Sequence, residues 1–184
     1  MKTAVLIVLA VGALTWLAWF YHRHRRAAAR GPVLHVRNEF EFTVHAPYRV
    51  TAPLFGAEGE RGWAGSDWDP HFLYPQPTQD TRGAVFTIPH GHGEAYWINT
   101  SMDVDGRHFQ YVSVIPGAMV VLIDVRFSEP DPANTKVNVA YERTALNPAA
   151  NEHVRELGNS DRASGKEWGA AINDYLAKQR VADR

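Results

Sequence analysis

Three sets of side chains in this chain have types and spacings that can do chemistry. His90, His92 and Glu94 stand at i, i+2 and i+4. On an extended strand all three would point to one side, a spacing that can bind zinc or another transition metal. Gly91 and Gly93 favour instead a flexible turn whose polar side chains face water, so no metal is assigned. Asp67 and Asp69 flank Trp68 and follow Trp63. Two carboxylates so close can do acid–base work, but no nucleophile or leaving-group partner lies nearby in sequence, so no catalytic residue is assigned. The indoles of Trp63 and Trp68 offer flat apolar area with one N–H each, which suits the lid or wall of a ligand cavity. Packing of a loop over a sheet would use them equally well.

The third set is aromatic apart from Ile172. Phe86, Tyr96, Trp97, Tyr111 and Tyr141 lie on extended segments, and Trp168 and Ile172 lie on a helical one. Asn38, Asp124, Arg126, Glu142 and Arg143 are polar groups on strands. Any of them that is buried must be hydrogen-bonded or paired; a solvated outer face accounts for them otherwise. There is no serine in a nucleophile elbow, no phosphate-cradling glycine loop and no HExxH pair, which argues against the common hydrolase, nucleotide-binding and metalloprotease classes. No cofactor is implied.

The elements that must position these groups follow from periodicity. Val36, Phe40, Phe42 and Val44 share one parity against Arg37, Glu39, Glu41 and Thr43, so this stretch is a strand with one buried face. Asn38 falls on the apolar parity and points inward. Pro47–Phe55 is a short helical or irregular piece limited by Pro53. Gly56–Gly65, with four glycines, is a loop or broken helix, and Trp68–Tyr74 is a short strand. Further strands are expected at 84–89, 94–104, 107–115, 119–128 and 136–146. Their short connections, such as Asp105-Gly106 and Pro116-Gly117, imply antiparallel pairing. Val120 and Leu122 are apolar opposite the Met119–Phe127 face, which suggests a strand covered on both sides. Asn147-Pro148 is an N-cap followed by proline at the first helical position. Gly158 is read as the end of a first helical piece, and Ser164-Gly165-Lys166-Glu167 as a capping box for a second. Trp168, Ile172, Tyr175 and Leu176 then form one apolar stripe that must pack on the sheet.

Ala4 to Tyr21 contains no charge and is followed by His22-Arg23-His24-Arg25-Arg26 and Arg30. Eighteen residues as a helix rise roughly 27 Å, close to the ~30 Å of a bilayer core. Trp16, Trp19, Phe20 and Tyr21 sit at the basic end, where amphipathic rings favour the interface. The segment reads as a single transmembrane anchor; a cleaved signal peptide is the alternative. The arginines place the rest of the chain on the cytoplasmic side of the inner membrane. Two units follow: 1–30 as anchor and basic flank, 31–184 as one domain long enough to bury a core. Five of the 19 basic residues and none of the 20 acidic ones precede Gly31, so the domain carries a formal charge of −6. Such a domain is a poor nucleic-acid binder. The absence of cysteine excludes disulfides and thiol chemistry.

One strand, short helical pieces, an antiparallel sheet and a long C-terminal helix is the order of the helix-grip fold. The chain resembles the SRPBCC (START-like, polyketide cyclase/dehydrase-like) superfamily. The resemblance rests on Val44-His45-Ala46-Pro47, Trp68 to Pro75, Gly83 to Gly91, and Trp168 to Leu176, and covers about residues 35–180. It implies an α+β fold in which a curved antiparallel sheet wraps a long C-terminal helix, with a cavity between them that takes apolar or amphipathic molecules. The expected function is a membrane-anchored binding or carrier module for a hydrophobic small molecule such as a lipid, quinone or polyketide-like compound. Ligand contacts are expected from Trp63, Trp68, Phe86, Tyr96, Trp97, Tyr111, Tyr141, Trp168 and Ile172. A cyclase- or dehydratase-type enzyme using the same cavity, and a non-catalytic interaction domain, remain as alternatives; the enzyme requires convergent polar groups inside.

Overall fold

The computed structural model describes residues 31–91 and 93–182. The expected anchor, Ala4–Tyr21, lies outside them. No helix among the described residues is long and apolar enough to cross a membrane.

Strand β1 (His35–Val44) is followed by the one-turn helix α1 (Tyr48–Thr51), a 3₁₀ turn (Ala52–Leu54) and a second one-turn helix α2 (Ala57–Glu60). Then come β2 (His71–Tyr74), β3 (Val85–His90), β4 (Gly93–Asp103), β5 (His108–Ile115), β6 (Met119–Asp131) and β7 (Asn134–Ala145). A 3₁₀ turn (Pro148–Ala150) leads into α3 (Asn151–Ala182). The strands form one antiparallel sheet in the order β1-β7-β6-β5-β4-β3-β2. Consecutive strands from β2 to β7 are neighbours, and from β3 onward the connections are too short to reach elsewhere.

The pairing register fixes the inner face. Phe40 and Phe42 lie opposite Val139 and Val137, and Asn38 lies opposite Tyr141, so Asn38 points inward as its parity requires. Met119, Val121, Ile123, Val125 and Phe127 are all buried on the same face. Helix α3 closes over it with Val154, Ile172 and Leu176, whose burial is worth about 1.5–3 kcal/mol each. Val120 and Leu122, expected under a second layer, are instead partly exposed on the outer face. The helical elements all pack on the inner side.

Helix α3 is continuous, which corrects the expected break at Gly158 and the expected capping box at Ser164. Gly158, Gly165 and Gly169 recur on the face that meets β1. A Cβ at Gly158 would stand 3.0 Å from Val36, one at Gly165 3.0 Å from the Glu41 carbonyl oxygen, and one at Gly169 3.2 Å from Phe42. These glycines set how closely helix and strand approach; they do not end the helix. The start is as expected: the Asn147 side chain accepts a hydrogen bond from the Ala150 amide at 3.2 Å. Asn173 ties the far half of the helix to the end of β1, donating to the Thr43 carbonyl (3.0 Å) and accepting from the His45 amide (2.8 Å).

Candidate functional site

Between α2, α3 and the sheet lies an internal cavity of about 50 Å³. The sheet supplies Phe86, Trp97, Tyr111, Ile123, Val125 and Tyr141; the other wall is Phe55, Gly56, Ala57, Glu60, Trp68 and Trp168. A half-open vestibule of about 250 Å³ adjoins it and shares Trp68, Trp97, Ile123 and Tyr141 with it. Trp68 and Trp97 meet edge to face, ring centroids 5.5 Å apart, and stand at the boundary of the two spaces. A third pocket, about 490 Å³, lies at the opposite end of the sheet, where Met102, Val104 and Phe109 face α1 and α2. Phe55 lines both this pocket and the inner cavity.

The polar groups of the inner cavity are the informative ones. The Trp97 indole N–H and the Tyr111 hydroxyl are buried, with no hydrogen-bond partner among the described residues. Beside them on β4, both side-chain amide atoms of Asn99 are equally unpartnered, where a bulge interrupts the β4–β5 pairing. An unpaired buried donor costs about 1–3 kcal/mol, and buried polar atoms in folded proteins are nearly always satisfied.

Glu60 enters from the other wall. Its carboxyl is buried and accepts one long hydrogen bond, 3.3 Å, from the Gly56 amide. Burial pushes its pKa from 4.5 up to about 8; the Gly56 amide pulls it back and the nearby Asp80 carboxylate adds to the rise. Asp80 holds α2 in place, accepting from the amides of Ala57 (2.8 Å) and Glu58 (3.0 Å). Gly56 stands just before the helix at φ 132°, and a Cβ there would lie 2.6 Å from the Asp80 carboxyl carbon. Burial likewise pushes the Tyr111 and Tyr141 hydroxyls above the ordinary phenol range, with Arg143 opposing the rise at Tyr141. The two phenols are therefore protonated at neutral pH and offer O–H donors to the cavity, while Glu60 is mainly protonated with an ionised fraction beside it.

The vestibule carries a buried ion pair. Arg143 of β7 donates from Nε (3.0 Å) and Nη2 (2.6 Å) to the two oxygens of Asp161 on α3. Its guanidinium also lies 4.5 Å from the centre of the Tyr141 ring.

Of the nine residues expected to contact ligand, Trp68, Phe86, Trp97, Tyr111, Tyr141 and Trp168 line the inner cavity. Trp63 stands behind it, donating to the Leu54 carbonyl at 2.7 Å and packing edge-on to Trp168. Ile172 is wholly buried in the core rather than at the cavity. Tyr96 is turned the other way: its parity on β4 is opposite to that of Trp97, and it is exposed on the outer face. Glu60, Asn99 and Asp161 were not singled out in the sequence. Asp161 leaves a trace there, since it stands seven residues before Trp168 on the buried stripe. Glu60 leaves none, because it stands in a run of glycines and charges that reads as a loop or broken helix.

The other chemical candidates lie elsewhere. Asp69 is exposed and bound to Arg61 (3.0 Å) and His71 (3.1 Å); the Arg61 hydrogen bond holds its carboxyl below the usual range. Asp67 is exposed on the loop. Asp124 sits on the outer face with His108 at 2.6 Å and Arg126 at 3.0 Å, and Glu142 pairs there with Arg37 at 3.2 Å. The chain turns after His90, so His90 and Glu94 stand on opposite strands of a hairpin rather than along one; His92 lies outside the described residues. Among the described residues, no group of three His, Asp or Glu side chains is placed to hold a metal ion.

No protein-family model matches the chain, and no curated protein matches it in sequence. Solved structures do match in shape. Norcoclaurine synthase from Thalictrum flavum, solved in complex with dopamine and hydroxybenzaldehyde, superposes with a TM-score of 0.60 at 9% identity, covering 79% of this chain and 88% of that one. A putative uncharacterized protein from Rhizobium leguminosarum gives 0.55 at 15% identity over 80% and 97%. A Staphylococcus aureus protein of unknown function gives 0.59 at 12% over 81% and 98%. Identities this low speak for the fold alone. The seven-stranded antiparallel sheet closed by α3 is the helix-grip fold, an architecture it shares with norcoclaurine synthase.

Proposed function

We propose that this chain is a membrane-anchored module that binds a hydrophobic ligand bearing a hydrogen-bond acceptor, such as a quinone, a polyketide-like ketone or a lipid carbonyl. The observation that carries the reading is the pair of unpartnered donors, Trp97 Nε1 and Tyr111 Oη, on the wall of a cavity lined mainly by aromatic and aliphatic side chains. Apolar walls with a few convergent polar groups are what a small-molecule site requires. The inner cavity alone is too small for such a ligand. Its acceptor end would enter there while its apolar body fills the vestibule across the Trp68–Trp97 boundary.

Topology supports the membrane half of the proposal. The vestibule is lined by His90, Ser113, Ile115, Val121 and Arg143, which mark one end of the sheet. At that same end the chain arrives from residue 31: the Ala145 amide donates to the Leu34 carbonyl, and His35 lies opposite Thr144. An anchor at 4–21 would therefore hold the vestibule toward the bilayer, where apolar ligands are concentrated. Native mass spectrometry of the full chain, purified from its host membrane, tests the reading. A bound apolar mass lost in W97A is expected; ligand-free protein that also takes up no quinone or ketone would refute it.

A cyclase- or dehydratase-type enzyme is the second reading. It is favoured by one feature a passive carrier has no need of, the buried carboxyl of Glu60 with its pKa near neutrality.

A further inference from the structure

We propose that Glu60 and Tyr111 form a proton-transfer pair acting on an apolar ketone whose carbonyl end enters the inner cavity, with Glu60 moving a proton off the carbon beside the carbonyl. This rests on the binding reading above and adds a reaction to it. Glu60 comes from the α2 wall and Tyr111 from the sheet wall, and both line a space of about 50 Å³ that is otherwise almost wholly apolar. Among the described residues no cation bonds to Glu60, and its one partner is the Gly56 amide at 3.3 Å.

The chemistry follows from the protonation states. A carboxyl that titrates at about 8 has both forms available near neutral pH, as a general acid–base needs. In its ionised form Glu60 takes the proton from the carbon next to the carbonyl. The C–H electron pair becomes the carbon–carbon double bond of an enolate, and the carbonyl π pair moves onto oxygen. Tyr111, whose hydroxyl burial keeps protonated, donates a hydrogen bond to that oxygen, and the Trp97 N–H supplies a second donor. Donors fixed in a dry site stabilise developing charge far more than water does. Glu60 then returns the proton to the same carbon, or to the far end of a conjugated system. The net result is isotope exchange or a shift of a double bond, with no oxidant, reductant or co-substrate.

The test uses the full chain in detergent with 2-tetralone, a flat bicyclic ketone, in deuterated buffer. Proton NMR follows deuterium entering the carbons beside the carbonyl, and quenching of tryptophan fluorescence on the same sample reports binding. Exchange should exceed detergent-only buffer by about 100-fold or more, fall to that background in E60Q with binding retained, and fall about 10-fold in Y111F when the ketone is raised until its own quenching saturates. Binding by the wild type with exchange equal to E60Q overturns the proton-transfer role and leaves the binding reading standing. If E60Q does not fold, Y111F decides, and wild-type exchange in Y111F overturns the pair. No quenching by the wild type overturns the binding reading, and this inference with it.

Discussion

Arg143 and Asp161 form a two-point ion pair between sheet and helix, with side chains 12% and 4% exposed. The pair fixes the rotation of α3 over β7 at the vestibule. Removing one partner leaves a buried charge uncompensated, at a cost of about 3–5 kcal/mol. D161A should lose that much in urea denaturation, whereas R143M/D161L, which removes both charges, should recover most of it. A loss under about 1 kcal/mol in D161A would show that the pair does not hold the helix.

The glycines of α3 give a second prediction. Glycine in a helix interior costs up to about 1 kcal/mol relative to alanine, so a surface glycine is improved by substitution. Gly165 is not at the surface: an added Cβ meets the Glu41 carbonyl oxygen at 3.0 Å and the Phe40 ring at 3.2 Å. G165V should destabilise by about 1–3 kcal/mol through overpacking. Chemical denaturation would detect this, and an unchanged or raised midpoint would contradict the close approach of helix and strand.

These same residues show what the sequence conveys and what it does not. Alternation on β1 and β6, the turn chemistry between strands and the Trp168–Leu176 stripe are local patterns, and each became the element it indicated. Gly158 misled because local propensity treats glycine as a break, while tertiary packing uses it as a place to come close; the Ser164–Glu167 spacing of a capping box misled because it falls inside a continuous helix. The site is legible in part for the same reason. Aromatic residues on strands announce a lining, but parity at Tyr96 and Trp97 could not be assigned until the β3–β4 register was known. The buried acid was hidden altogether: Glu60 sits in a run of glycines and charges that reads as a loop or broken helix, and the Asp80 side chain that caps this turn comes from twenty residues further on.

Glu60 makes stability depend on pH. Its carboxyl titrates at about 8 in the folded protein against an ordinary 4.5, so between those values the folded state holds a proton that the unfolded state has released. Raising the pH then favours unfolding. The contribution is fully present below about 4.5 and is lost by about 8, with a slope of at most about 1.4 kcal/mol per pH unit. E60Q lacks this slope. Unfolding free energies at pH 5 and pH 8 should show the wild type losing on the order of 3–4 kcal/mol relative to E60Q. Curves that run parallel would mean that Glu60 is ionised in the fold. D80N, which removes the neighbouring negative charge, should narrow the window from its upper end.

The proposed anchor predicts fractionation behaviour. The full chain should stay with membranes through an alkaline wash, and a chain beginning at Gly31 should be released. Release of both would argue against a spanning segment at Ala4–Tyr21.

The central claim is that the cavity's unpartnered donors receive a ligand's acceptor, and the Trp97 indole N–H reports on this directly. Its nitrogen–proton NMR resonance, assigned by its loss in W97F, can be followed while the full chain is titrated with 2-tetralone. A saturable downfield shift is predicted, as expected for an N–H that gains a hydrogen bond on ligand entry. A resonance that stays fixed through the titration would contradict the account.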